Sequence, residues 1–263
     1  MVKLKNYKDV LKHFGLLLTF AFIFSCGKPS YFVTKIEGKK IAVLETQNSA
    51  TENTQQIESF INPYRENIDK DLSEVLAYCP ETLDKSKGDW QTNIGSFLAD
   101  ITLEKSNIIF QKRENKVSSI CFLNNGGIRT IIPKGNVTKR NAFEVMPFEN
   151  SAVIIALKAE QIMELINYII SEKKPHPLAG LSFTIDKNNT ATAILIQGKP
   201  IDNATIYYVV TNDYLANGGD KMDFFKKGLK RYDIDYKLRN IMIDYFKEVD
   251  TLKINTNIRI TKE

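Results

Sequence analysis

Apolar residues along this chain recur with two periods, one helical and one strand-like, and their order sketches a fold. Helical spacing links Tyr64, Ile68, Leu72, Val75 and Leu76, with Asn62-Pro63 as the cap and first-turn proline. A second helix is capped by Thr92 or Asn93 and sets Ile94, Phe97, Leu98 and Ile101 on one face. A third carries Ile162, Leu165, Ile166 and Ile169, and a last helix-like stretch covers 235–246. Short apolar runs predict strands at 117–123, 153–157 and 207–211. The runs 182–186 and 191–196 flank Lys187-Asn188-Asn189 in a hairpin pattern. Two further strand-like runs, 31–36 and 40–44, precede a polar linker at 45–56, and 80–89 is a loop. Strands and helices mix without strict βαβ alternation. The expected class is therefore α+β, a mixed α/β domain with packed helices.

The first residues follow a different logic. Lys3, Lys5, Lys8 and Lys12 precede an apolar run at 14–24 that ends in Ser25-Cys26-Gly27. A basic start before so short an apolar run is the form of a secretory signal, with an uncut anchor as the alternative. Ile23-Phe24-Ser25-Cys26 resembles a bacterial lipobox, which implies acylation of Cys26 and an extracytoplasmic, membrane-anchored lipoprotein. The expected organisation is a signal at 1–26, short strands and linker at 27–56, and one folded domain at 57–263.

The net charge of +5 is concentrated in that leader, where four lysines face one aspartate. The remainder is of mixed sign, without a basic arm to follow a phosphate backbone, which argues against nucleic acid as a partner. A 43% hydrophobic content supplies a sizeable core. In an oxidising compartment Cys79 and Cys121 can pair, but Cys121 lies in the apolar run Ile120-Cys121-Phe122-Leu123, where a buried free thiol is the alternative. Outside the leader the one histidine is His176, in a proline-flanked loop, expected at the surface. A single histidine does not furnish a multi-histidine metal centre.

Three segments place polar residues where a predicted strand meets a turn: Leu123-Asn-Asn-Gly-Gly-Ile-Arg129, Glu144-Val-Met-Pro-Phe-Glu-Asn150 and Val209-Val-Thr-Asn-Asp-Tyr-Leu-Ala-Asn-Gly-Gly-Asp220. A glycine pair lets backbone N–H groups approach a ligand, an amide suits ribose hydroxyls and a guanidinium suits phosphate. Taken singly, each segment also reads as a plain turn, and Phe148 and Tyr214 as core aromatics.

In this order the segments resemble the 5'-nucleotidase C-terminal domain, whose motifs are Asn-Gly-Gly-Gly-Ile-Arg, Pro-Phe-Gly and Phe-Leu-Ala-x-Gly-Gly-Asp. Gln91-Thr-Asn-Ile-Gly-Ser-Phe-Leu-Ala-Asp100 looks like a fourth family segment, and the resemblance runs from about residue 60 to 250. It implies a nucleotide base held between Phe148 and Tyr214, Asn124 and Arg129 on the ribose and phosphate side, and Asp220 accepting from ribose hydroxyls. The chain departs from the pattern at Trp90 (commonly arginine), Asn125 and Glu149 (glycines) and Tyr214 (phenylalanine).

Full 5'-nucleotidases add a dimetal hydrolytic domain, for which this sequence shows no residues. The resemblance thus implies a hydrolase family but no catalytic residues, metal or other cofactor in this chain. Three readings follow. The first is a recognition subunit for a separate metallophosphatase chain, which would hold the divalent metals for nucleotide catabolism. The second is a non-catalytic nucleoside- or nucleotide-binding lipoprotein, and the third a scaffold whose aromatics are core.

Overall fold

The computed structural model describes residues 11–17, 32, 34–39 and 52–263. Residues 11–17 are helical and exposed, and 34–36 form no strand, contrary to the pattern at 31–36. Cys26 and the run 40–44 lie outside the described residues. Among the described residues no helix is long and apolar enough to cross a membrane. Gln56–Glu263 form one compact unit.

Helix α1 spans Glu52–Leu72, so 52–56 are helical rather than linker, and Pro63 lies inside the helix instead of starting it. An interior proline removes one intrahelical bond. This helix is solvent-exposed around Pro63, where water can satisfy the freed carbonyl. Val75 and Leu76 leave the helical pattern for strand β1 (Val75–Cys79), which pairs antiparallel with β3 (Gly135–Thr138). Between them lie α2 (Asn93–Glu114) and β2 (Ile120–Phe122). The Thr92 hydroxyl caps α2 by accepting the Gly95 N–H at 3.1 Å. After β3 come α3 (Lys139–Val145), β4 (Ser151–Lys158) and α4 (Ala159–Glu172).

The second half contributes β5 (Leu178–Ala179), the hairpin β6 (Leu181–Ile185) and β7 (Ala191–Ile196), β8 (Lys199–Pro200) and β9 (Ile206–Asn212). Then follow the short α5 (Asp213–Ala216), β10 (Lys230–Lys237), α6 (Leu238–Glu248) and β11 (Ile260–Lys262). Residues 235–237, expected to be helical, belong to β10. Lys-Arg-Tyr-Asp-Ile-Asp buries only Tyr232 and Ile234, and its charged alternate positions suit an edge strand.

A five-stranded mixed sheet in the order β10-β4-β9-β2-β5 organises the domain, beside a four-stranded sheet β11-β6-β7-β8. Strand alternation divides the core. Ala152, Ile154 and Ala156 of β4 pack with α2 and α6, while Val153, Ile155 and Leu157 pack with α4 and the β6–β7 hairpin. Each fully buried isoleucine or leucine stabilises the fold by roughly 1.5–3 kcal/mol. The structure is thus a mixed α/β fold. Cys79 and Cys121 are both buried free thiols, and desolvation raises the pKa of each.

The strand directions locate the site. β2 runs parallel to β9, whereas β4 runs antiparallel to it. The ends of β2 and β9 and the start of β4 therefore share one edge of the sheet. The segments 123–129, 144–150 and 212–220 all attach there.

Candidate functional site

Asn124, Phe148, Tyr214 and Asp220 line one cavity of about 360 Å³, together with Gly126, Gly127 and Asn150. The two rings are 46% and 45% exposed, so neither is a core residue. Large aromatic faces left half in solvent beside a hollow are suited to stacking on a flat heterocycle. Arg129 does not line the cavity. It lies over the Phe148 ring, its guanidinium 5.8 Å from the ring centroid and its Nη1 donating to the Gly126 carbonyl at 3.4 Å.

Asp220 is reached by two donors. Asn124 Nδ2 donates to Oδ2 at 2.9 Å and the Tyr214 hydroxyl donates to Oδ1 at 2.9 Å. Each oxygen keeps a lone pair for a ligand hydroxyl. The hydroxyl that distinguishes Tyr214 from the family's phenylalanine is therefore committed to orienting the carboxylate. Gly219 permits the arrangement, because a Cβ there would meet the Tyr214 ring at 2.5 Å.

Behind this pair stands Asn212, at 1% exposure the most buried polar residue of the site and one to which the sequence pattern assigns no role. Its Oδ1 accepts the Leu215 N–H at 2.8 Å and caps α5, the turn that carries Tyr214. Its Nδ2 donates to Asn124 Oδ1 at 3.3 Å, which leaves the Asn124 amide nitrogen for Asp220. An asparagine between a strand and Asp-Tyr-Leu is a cap signal, and that signal is available in the sequence.

His176 is not at the surface; it is 5% exposed. The proline-flanked loop turns inward, and the imidazole packs against Phe122 and Tyr168 with centroids at 5.3 and 5.7 Å. Its Nδ1 accepts the Asn125 N–H at 3.3 Å, while Asn125 Nδ2 donates to the Pro175 carbonyl at 3.1 Å. The asparagine in place of a glycine thus ties the Asn124–Gly127 turn to the histidine loop. Burial pulls the imidazole pKa down to about 4, so the ring is neutral near pH 7. Tyr168 donates its hydroxyl to the Asp220 carbonyl at 2.9 Å, and burial, aided by nearby acidic groups, raises its pKa to about 12.

Trp90 does not line the cavity. It packs on the α4 side of the core, with Lys262 Nζ 5.7 Å from its ring. Among the described residues no group of three or more His, Cys, Asp or Glu side chains gathers to hold a metal ion.

The model of the 5'-nucleotidase, C-terminal domain family matches residues 75–227, and the chain belongs to that family. Protein UshA of Escherichia coli is 27% identical across 72% of this chain and 33% of its own length. Trifunctional nucleotide phosphoesterase protein YfkN of Bacillus subtilis is 24% identical over 82% of this chain and 16% of its own. Among solved structures, the 5'-nucleotidase precursor of Thermus thermophilus shares the fold with a TM-score of 0.66. It is 24% identical, over 80% of this chain and 43% of that one. The NAD nucleotidase of Haemophilus influenzae follows at 0.61 and 17% identity, over 80% of this chain and 42% of that one. The chain thus spans a third or less of these curated relatives and under half of the Thermus structure.

Proposed function

We propose that this chain is the nucleotide-recognition part of a 5'-nucleotidase-like system. In this reading it stacks a base between Phe148 and Tyr214 and offers the Asp220 carboxylate and the Asn124 amide to the ribose. Arg129, exposed and stacked near the Phe148 ring rather than lining the cavity, is assigned the phosphate side. The observation that carries the reading is the convergence of four predicted side chains, from three separate segments, on one cavity with two half-exposed rings. The group types present bind and orient, and none is set up as an activated nucleophile beside a base.

Hydrolysis is assigned to a separate metallophosphatase chain that supplies the divalent metals. Cys26 is assigned as a lipid anchor outside the cytoplasm, which would keep recognition and hydrolysis at the membrane surface. The chain without its leader, titrated calorimetrically with AMP and adenosine, should bind both, and F148A should weaken both. Adding a metallophosphatase-domain chain from the same genome should then raise phosphate release from AMP. Binding without any rate change would favour a nucleotide-binding lipoprotein with no catalytic partner. No binding at all would remove both readings.

A further inference from the structure

The ring-bearing loop is held by a residue far away in sequence. Arg239 sits at the start of α6, beyond the matched 75–227, and is 8% exposed. Its Nη1 donates to the Met146 and Pro147 carbonyls at 3.5 and 3.3 Å, just before Phe148. Its Nη2 pairs with the Glu149 carboxylate, just after Phe148. One planar fork thus grips the chain on both sides of the ring, and the fork itself lies 4.2 Å from the Phe143 centroid. Two neighbours reinforce the grip. Lys237 Nζ lies 2.6 Å from Glu149 Oε2, and the Leu238 N–H donates to the Asn150 carbonyl at 3.0 Å.

Glu149 stands where the family motif has glycine, and a glycine could make neither ion pair. A loop ending in glycine is free to pivot; here the carboxylate joins it to α6. Lys237 first and then Arg239 hold that carboxyl below the ordinary carboxylate range, so it is ionised near pH 7. An exposed ion pair is worth little by itself. The buried guanidinium is different, because it has two carbonyls to satisfy and only one carboxylate to balance its charge.

We propose that Arg239, with Glu149 as its counter-charge, is the positioning residue that sets the Phe148 ring at the wall of the nucleotide cavity. This rests on the nucleotide-recognition reading, and the two can be tested apart. With 4-fluorophenylalanine incorporated at position 148, fluorine NMR reports the ring directly, with or without ligand. R239K keeps the charge and most of the packing, but an ammonium cannot span three acceptors as a fork; E149Q keeps the shape without the charge. Both should move the fluorine resonance toward its position in the denatured chain and weaken AMP binding about fivefold, a loss of the size of one hydrogen bond. Their thermal midpoints should fall, E149Q's most because it leaves the buried guanidinium uncompensated, but each should still unfold in one cooperative transition, which a generally loosened fold would not allow.

An unmoved resonance in both variants overturns the latch. A moved resonance with parental AMP affinity overturns its part in recognition and leaves the nucleotide reading standing. A parent chain that binds no AMP overturns that reading, and the resonance alone then decides the latch.

Discussion

The Tyr214 hydroxyl donates to Asp220 Oδ1 at 2.9 Å and in turn accepts the Asp220 backbone N–H at 3.2 Å, so side chain and main chain are fixed together. Asp220 and the next residue, Lys221, both have left-handed backbone, with φ of 52° and 62°. That conformation is uncommon outside glycine and needs outside support. Removing only the hydroxyl, in Y214F, keeps the stacking face but frees the carboxylate. AMP affinity should fall by about 1 kcal/mol, while a 2',3'-dideoxy analogue should bind parent and variant alike. Y214A should lose roughly a further 1–3 kcal/mol with either ligand. Equal losses for both ligands in Y214F would rule out the ribose role of Asp220.

Gly219 gives a steric version of the same test. Its added Cβ would sit 2.5 Å from the Tyr214 ring, well inside van der Waals contact. The ring is 45% exposed and can swing away, so G219A should fold, with a stability loss of about 1–2 kcal/mol that includes the two Tyr214–Asp220 hydrogen bonds. The displaced ring no longer meets the base, and AMP binding should drop by roughly 1–3 kcal/mol. Calorimetry paired with thermal unfolding checks both halves. Parental affinity in G219A would mean that Tyr214 does not stack on the ligand.

Asn212 does two jobs with one amide, and they can be separated. N212S retains a hydroxyl able to cap α5 but lacks the longer amide NH2 that reaches Asn124; N212A removes both. N212A should be less stable than N212S by about 1 kcal/mol, the usual worth of a cap. Their AMP affinities should be equal and both below the parent's, since the Asn124 amide is released in each. Urea unfolding and calorimetry on the two proteins decide it. An N212S protein that binds like the parent would leave Asn212 with only the cap.

Much of this site is legible in the sequence because its residues sit in short segments at strand ends, where turn chemistry is local. Phe148, Tyr214, Asn124 and Asp220 are of that kind, and so are the helix cap at Thr92 and the hairpin at 181–196. What depends on packing is not legible. Glu149 reads as a departure from a glycine, and its partner Arg239 comes from a helix that opens 89 residues later, with Leu238. His176 reads as exposed because prolines usually mark surface loops; the Phe122 and Tyr168 rings that bury it arrive from a strand and a helix. Strand β10 is hidden by its charges, which are compatible with an edge position only once β4 is known to lie beside it.

The buried imidazole makes stability depend on pH in a window where few other side chains titrate. In the unfolded chain His176 takes a proton near pH 6.5, whereas in the fold burial holds its pKa down to about 4. As pH falls below 6.5 the unfolded state gains a proton that the native state does not. The native state therefore loses relative stability from there down, and the loss levels off below about pH 4. Its full extent is on the order of 3 kcal/mol, from the difference between the two pKa values. H176Q removes the titrating group, and carboxylates elsewhere contribute to parent and variant alike. The stability advantage of the parent over H176Q, measured by urea unfolding, should therefore be largest near pH 7 and shrink by pH 4.5. If that difference stayed constant across the window, His176 would be solvated in solution, and its support of the Asn124–Gly127 turn would have to be abandoned.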